Sequence, residues 1–293
     1  MKAIRFIIPA VIVFFSACQE EAAVEVTVTP CDYTLSVQAD KGDAGTKALD
    51  LVSGTPDYLK PYWTSAEKVK VYKGGTLLGT LNVKPDSGEK PSKATLSGTI
   101  ATEGLAAGDE LSLMIPREDW DYSGQSGTLA CIEAEYDYAV ASVTIAAVND
   151  VNHTVTTTGS ASFVNQQSIY RFGFRVSESY IDPKEFSISA AGGKLVQRLN
   201  WDGSAWTPVL GGISVTPASA SGDHFYYVSL RNGTAAADSY GFVITGSDDA
   251  LYLATKAIPA QVLETPGNFI SAKNINAAQA DFSPAGGSTD TAL

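Results

Sequence analysis

Apolar and polar residues alternate one for one along much of this chain, and that period restricts its architecture more than any other property of the sequence. The alternation is clear in Val24-Glu25-Val26-Thr27-Val28, Lys68-Val69-Lys70-Val71-Tyr72 and Ala141-Ser142-Val143-Thr144-Ile145. Successive side chains of a strand point to opposite faces, so a period of two gives one face to a core and the other to water. Turn formers separate the runs: Lys73-Gly74-Gly75, Pro85-Asp86-Ser87-Gly88, Gly108-Asp109, Asp202-Gly203 and Arg231-Asn232-Gly233. Gly and Asn accept the positive φ of tight hairpins, and Pro fixes φ at a first corner. Every candidate for a three-turn helix is interrupted by Gly or by β-branched residues. Short alternating strands joined by such turns predict an all-β chain of antiparallel β-sandwiches.

The length of 293 residues with 44% hydrophobic content supports two cores rather than one. The polar, Thr-rich stretch 149–159 suggests a boundary, and Ile169-Tyr170-Arg171-Phe172-Gly173-Phe174-Arg175-Val176 reopens a core with alternating aromatics. The expected organisation is therefore two tandem sandwich domains, residues 32–155 and 156–282. A polar tail, 283–293, has little to bury and is expected to be disordered.

The start of the chain has a different logic. Lys2 and Arg5 precede an apolar run from Phe6 to Phe15, followed by Ser16, Ala17 and Cys18, the order of a secretory signal. A spanning helix needs about 20 apolar residues, more than this run has. Phe15-Ser16-Ala17-Cys18 resembles a bacterial lipobox. That resemblance implies removal of 1–17 as a lipoprotein signal peptide and lipidation of Cys18, with palmitate among the acyl chains. The alternative is an ordinary signal with an incidental cysteine. Gln19-Glu20-Glu21 resembles the surface-export signals of Bacteroidetes lipoproteins, or is simply a solvated tether. The expected location is the cell-surface side of the outer membrane, with 18–31 as a lipidated tether and first strand. The formal charge of −12, less Lys2 and Arg5, gives −12 − 2 = −14 for the processed chain. Such a surface repels nucleic acid and anionic headgroups, which excludes both as partners.

Little in the sequence points to chemistry. Beyond Cys18 there are Cys31, Cys131, His153 and His224, with no zinc-ligand spacing, so no metal or other cofactor is expected. Cys31 and Cys131 either form a disulfide, which the compartment permits, or remain thiols. His224 adjoins Asp223, but neighbours on a strand face opposite ways and make no catalytic dyad. Ser123-Gly124-Gln125-Ser126-Gly127 lacks the spacing and the following helix of a nucleophile elbow. The carboxylates Asp119 and Asp121 are the one candidate pair for a hard cation, and they sit beside turn signals. The chain is thus not expected to be an enzyme. Leu199-Asn200-Trp201-Asp202-Gly203-Ser204-Ala205-Trp206 reads as a hairpin. Trp201 and Trp206 are candidate ligand contacts that stack on sugar rings, or they form a cross-strand pair worth up to about 1 kcal/mol, the preferred reading.

Three segments carry a family likeness. Trp63-Thr64-Ser65-Ala66-Glu67-Lys68-Val69-Lys70-Val71-Tyr72 is the first. The second is Tyr122-Ser123-Gly124-Gln125-Ser126-Gly127-Thr128-Leu129, followed by Tyr136-Asp137-Tyr138-Ala139-Val140-Ala141. The third is Gly267-Asn268-Phe269-Ile270-Ser271-Ala272-Lys273-Asn274-Ile275. Together they resemble the fimbrillin-like lipoproteins of Bacteroidetes, subunits of type V pili. The resemblance implies two transthyretin-like sandwiches and a role in cell adhesion as stalk, tip or anchor of a fimbrium. It also implies assembly by donor-strand exchange, in which a protease removes the first strand and a strand of another pilin subunit replaces it. The matching parts are the alternating strand candidates Val24 to Thr29 and Tyr33 to Ala39, then a Gly-rich loop, Lys41-Gly42-Asp43-Ala44-Gly45-Thr46-Lys47, whose backbone is expected to be accessible to a protease, with the cut between Lys47 and Ala48. The resembling pilins are often cut at arginine, whereas both basic residues here are lysine. The alternative function is a non-polymerising surface lipoprotein that binds a glycan or host ligand. Asp290-Thr291-Ala292 resembles the O-glycosylation sequon of the same phylum.

Overall fold

The computed structural model describes residues 32–41, 49–54, 58–115, 120–190, 193, 195–201, 205–218, 222–233, 239–257 and 266–280. Cys18, Cys31, Lys47, Ala48, Asp119 and the tail 283–293 lie outside the described residues.

The chain is almost wholly β. Its first half contains β1 (Asp32–Asp40), β2 (Leu49–Val52), β3 (Tyr58–Pro61), β4 (Lys68–Lys73), β5 (Thr76–Pro85), β6 (Lys93–Ala101), β7 (Glu110–Ile115), β8 (Trp120–Asp121), β9 (Ala139–Asn149), β10 (Thr154–Thr158), β11 (Ala161–Ser162) and β12 (Val164–Asn165). The second half contains β13 (Ser168–Val176), β14 (Ser179–Ile181), β15 (Pro183–Ala190), β16 (Leu195–Trp201), β17 (Trp206–Leu210), β18 (Ile213–Val215), β19 (Tyr226–Asn232), β20 (Ser239–Gly246), β21 (Leu251–Ala257) and β22 (Phe269–Gln279). The helix among the described residues is one α turn, Leu129–Cys131, continuing as a π turn, Ile132–Tyr136.

The first sheet runs β10-β1-β6-β5-β4-β7-β9, and β9 also pairs with β10, so the seven strands close into a ring. All of its pairings are antiparallel except those of β1 with β10 and β11. The inward residues of the alternating strands, among them Leu35, Val71, Leu96, Leu113 and Val143, form one core. Closure removes the edges that an open sandwich would expose.

Residues 149–159, expected as a boundary, are the turn of the β9–β10 hairpin and the whole of β10. Val155 points into the core and is buried while its threonine neighbours face outward, so a strand that completes the ring looks like a linker by composition. Residues 156–165 stay with the first sheet, and the chain passes to the second between β12 and β13.

The second sheet runs β17-β16-β19-β13-β22-β21-β20-β15-β18, with β14 on β13 and β8 on β16. Its core is aromatic: Tyr170, Phe172, Phe174, Phe186, Tyr226 and Phe242 interdigitate at edge-to-face or stacked distances. Every residue of β13 from Ser168 to Phe174 is buried, which alternation alone does not predict. The cause is a second layer: Leu59 of β3 and Ile132 of the helical turn pack on Ile169 and Tyr227, so the outer face of β13 and β19 is covered by the first half of the chain.

Candidate functional site

The first strand and its end form the site of interest. β1 pairs with β6 at all nine of its residues, from Asp32↔Ala101 to Asp40↔Lys93. On its other side it has only two pairs with β10 and two with β11. Tyr33, Leu35, Val37 and Ala39 are buried, while the residues between them are exposed. Burial of each larger side chain contributes roughly 1.5–3 kcal/mol.

The alternation continues one residue beyond the strand, and there it places a charge inside. Lys41 is fully buried, with Nζ 2.7 Å from Glu67 Oε1 and donating to the Tyr62 carbonyl at 2.7 Å. The ammonium also lies 4.3 Å from the centre of the Trp63 ring. Glu67 is 5% exposed. Lys41 was expected in an accessible Gly-rich loop; the structure corrects this, because the inward period of Tyr33, Leu35, Val37 and Ala39 reaches it. The rest of that loop, 42–48 with the Lys47–Ala48 bond, lies outside the described residues.

The segment with the most specific family likeness, 122–129, is a joint between the two sheets. β8 pairs with β16, and the Tyr122 amide donates to the Gln197 carbonyl at 2.9 Å. Gln125 is buried and acts as a short piece of strand: its Nε2 donates to the Tyr122 and Ser229 carbonyls, both at 2.8 Å, and its Oε1 accepts from the Ser229 amide at 2.7 Å. Its backbone carbonyl accepts from Thr216, next to β18, and that of Gly127 accepts from Tyr227. The loop thereby links β18 to β19. Gly124 and Gly127 have φ of +76° and +73°, and a Cβ on Gly127 would lie 3.2 Å from the Tyr226 ring, so glycine is required there on both counts.

Asp121 fixes the start of this joint. Oδ1 accepts from the Ser123 amide and hydroxyl, and Oδ2 accepts from Nε and an Nη of Arg198. Burial pushes the carboxyl up, but the bonds from Ser123 and Arg198 more than reverse this and leave it below the usual carboxylate range. A depressed folded-state pKa adds stability above the unfolded value, near 4, and loses it as pH falls through the folded value. Asp121→Asn is therefore expected to be less stable than the parent at pH 6, with the gap shrinking below about pH 4. Urea midpoints measured at both pH values check this; a gap independent of pH contradicts it.

Trp201 and Trp206 are cross-strand partners, with ring centres 4.9 Å apart. Trp206 stacks on Trp120 at 4.1 Å, and Trp120 in turn stacks on Tyr138 at 5.2 Å. Trp201 meets Tyr72 of β4 edge-on at 6.4 Å. Both indoles are half-buried in a ladder that ties the first sheet to the second. The turn 202–204 between them lies outside the described residues.

His224 is paired, though not with its sequence neighbour. Its Nδ1 lies 2.7 Å from Asp182 Oδ1, which also accepts from the Tyr226 hydroxyl at 3.1 Å. The imidazole stacks on Tyr180 at 5.2 Å, while Asp223 accepts from the Phe225 amide. Asp182 lies 42 residues away in sequence, so no local pattern signals the pair. Among the described residues no hydroxyl or thiol hydrogen-bonds to His224, and no cluster of three metal-ligating side chains occurs. Cys131 is a free thiol.

No protein-family model matches the sequence, and no functionally described relative matches it. Among solved structures, a Bacteroides ovatus protein assigned to cell adhesion is similar over 85% of this chain and 96% of its own, at 12% identity and a TM-score of 0.45. The tip fimbrial protein of Porphyromonas gingivalis, with C-terminal truncation, is similar over 85% and 99%, at 9% identity and a TM-score of 0.38. A fimbrial assembly protein from Parabacteroides distasonis covers 86% and 100%, at 8% identity and a TM-score of 0.38. These neighbours are fimbrial and cell-adhesion proteins of Bacteroidetes. At such identity and TM-score they carry no residue's role over to this chain.

Proposed function

We propose that this chain is a non-enzymatic subunit of a surface fimbrium, lipidated at Cys18 and held at the outer membrane before assembly. In this reading its two halves are tandem transthyretin-like sandwich units. It enters the fimbrium when β1 is cut away at Lys47 and a strand from another subunit takes its place. The observation that carries the reading is the setting of β1: an alternating strand buried on one face, paired throughout to β6, and lying just before the candidate cleavage loop. Its loss would expose the inner face of the ring and leave unpaired N–H and C=O groups along β6, which an added strand satisfies.

Limited trypsin treatment is expected to cut at Lys47 and to leave Lys41 intact, because Lys41 is buried. The cut chain should then exchange its bound fragment for a fluorescent copy of residues 32–47, whereas the uncut chain and Lys47→Gln should take up none. A cut chain that holds its fragment through days of incubation, with no label bound, overturns the reading.

A further inference from the structure

We infer that the slot left by β1 selects its incoming strand by charge. The partner is a strand of another subunit with four alternating apolar residues and, two positions beyond the last, a lysine or arginine that reaches Glu67. The inference rests on the strand-exchange reading above and concerns what that exchange demands.

Lys41 belongs to the piece that leaves. Glu67 precedes β4 and stays with the body of the chain, as do Tyr62 and Trp63. A carboxylate, a carbonyl oxygen and the face of an indole thus converge on the point that Lys41 Nζ occupies, at 2.7, 2.7 and 4.3 Å. Each of the three favours a cation. Glu67 is further held by its own turn, its amide donating to the Thr64 carbonyl at 3.3 Å, so its position does not depend on Lys41 alone. A strand that fills the four apolar positions but ends in a neutral residue would cover this carboxylate without supplying the cation that Lys41 gives it. Breaking one side of a buried ion pair in this way is strongly unfavourable.

Register follows from the same feature. Apolar alternation tolerates a slip of two residues, because the same face still points inward. A slip of two carries the cation past Glu67, so the charge fixes which four residues enter. Two other segments of this chain fail the requirement. The alternating run 24–28 leads into Thr29 and Pro30 and has Asp32 at the position that would face Glu67, and residues 283–293 contain no lysine or arginine. Neither segment therefore supplies the matching strand.

The test uses the cut chain, freed of its fragment in urea and refolded with peptides of residues 32–41 carrying Lys, Arg, Met or Gln at the last position. The Lys and Arg peptides are expected to bind about 100-fold more tightly than the Met and Gln peptides. In the Glu67→Gln body the difference should shrink to within about tenfold. Equal binding of Lys and Met peptides to the unmodified body overturns the charge rule and leaves strand exchange standing. Failure of every peptide, the native one included, overturns strand exchange and the inference with it. A ladder formed by the cut chain alone through residues 283–293 also contradicts the rule.

Discussion

Gln125→Ala is expected to destabilise the chain by about 3–5 kcal/mol, lowering the thermal midpoint by on the order of 10 °C. The side chain donates to two backbone carbonyls and accepts from one backbone amide, all of them buried at the joint between the sheets. Alanine removes three hydrogen bonds, leaves those backbone groups unsatisfied and opens a cavity that the second sheet cannot readily fill. Water entering the gap would recover only part of the loss. Ser126→Ala is the control, since the Ser126 hydroxyl bonds only to Thr128 on the exposed side of the same loop, and it should shift the midpoint by no more than about 2 °C. Calorimetry on the two variants decides the matter. A shift for Gln125→Ala as small as the control's would mean that the loop lies on the second sheet without bracing it.

Lys41→Met is expected to cost about 3–5 kcal/mol, because the buried Glu67 carboxylate loses its ammonium partner. Glu67→Leu should be comparably damaging for the opposite reason. The double variant should recover most of the loss, since an apolar pair of similar volume carries no desolvation penalty. Urea unfolding of the parent, both single variants and the double gives the coupling energy. Additive losses would mean that the two charges act independently of their 2.7 Å contact, and would remove the basis for charge selection as well.

Much of this architecture was legible in the sequence, because half-buried strands write their orientation into the period of the residues. The inward set of β1, the hairpin that pairs Trp201 with Trp206, and the aromatic core strand β13 all follow from alternation. What escaped has a common cause, the effect of distant packing on local pattern. β10 is threonine at every position but Val155, the composition of an exposed linker, and only the pairing with β9 makes it the strand that closes the ring. The outer face of β13 is buried by Leu59 and Ile132, which lie 110 and 37 residues before Ile169 in sequence. Gln125 sits among small polar residues that read as a surface turn, and nothing local says that its amide completes a sheet. Lys41 is the exception: its inward place was available from the period of β1, but a lysine beside Gly42 invited reading as a solvated loop.

The central claim is that β1 is present before assembly and absent after it. The mass of the first residues in two pools, the membrane-held chain and fibres sheared from the cell surface, tests this most directly. The account predicts acylated Cys18 at the start of the membrane-held chain and Ala48 at the start of the chain in the fibres. Fibres in which this chain still begins at Cys18 would contradict it.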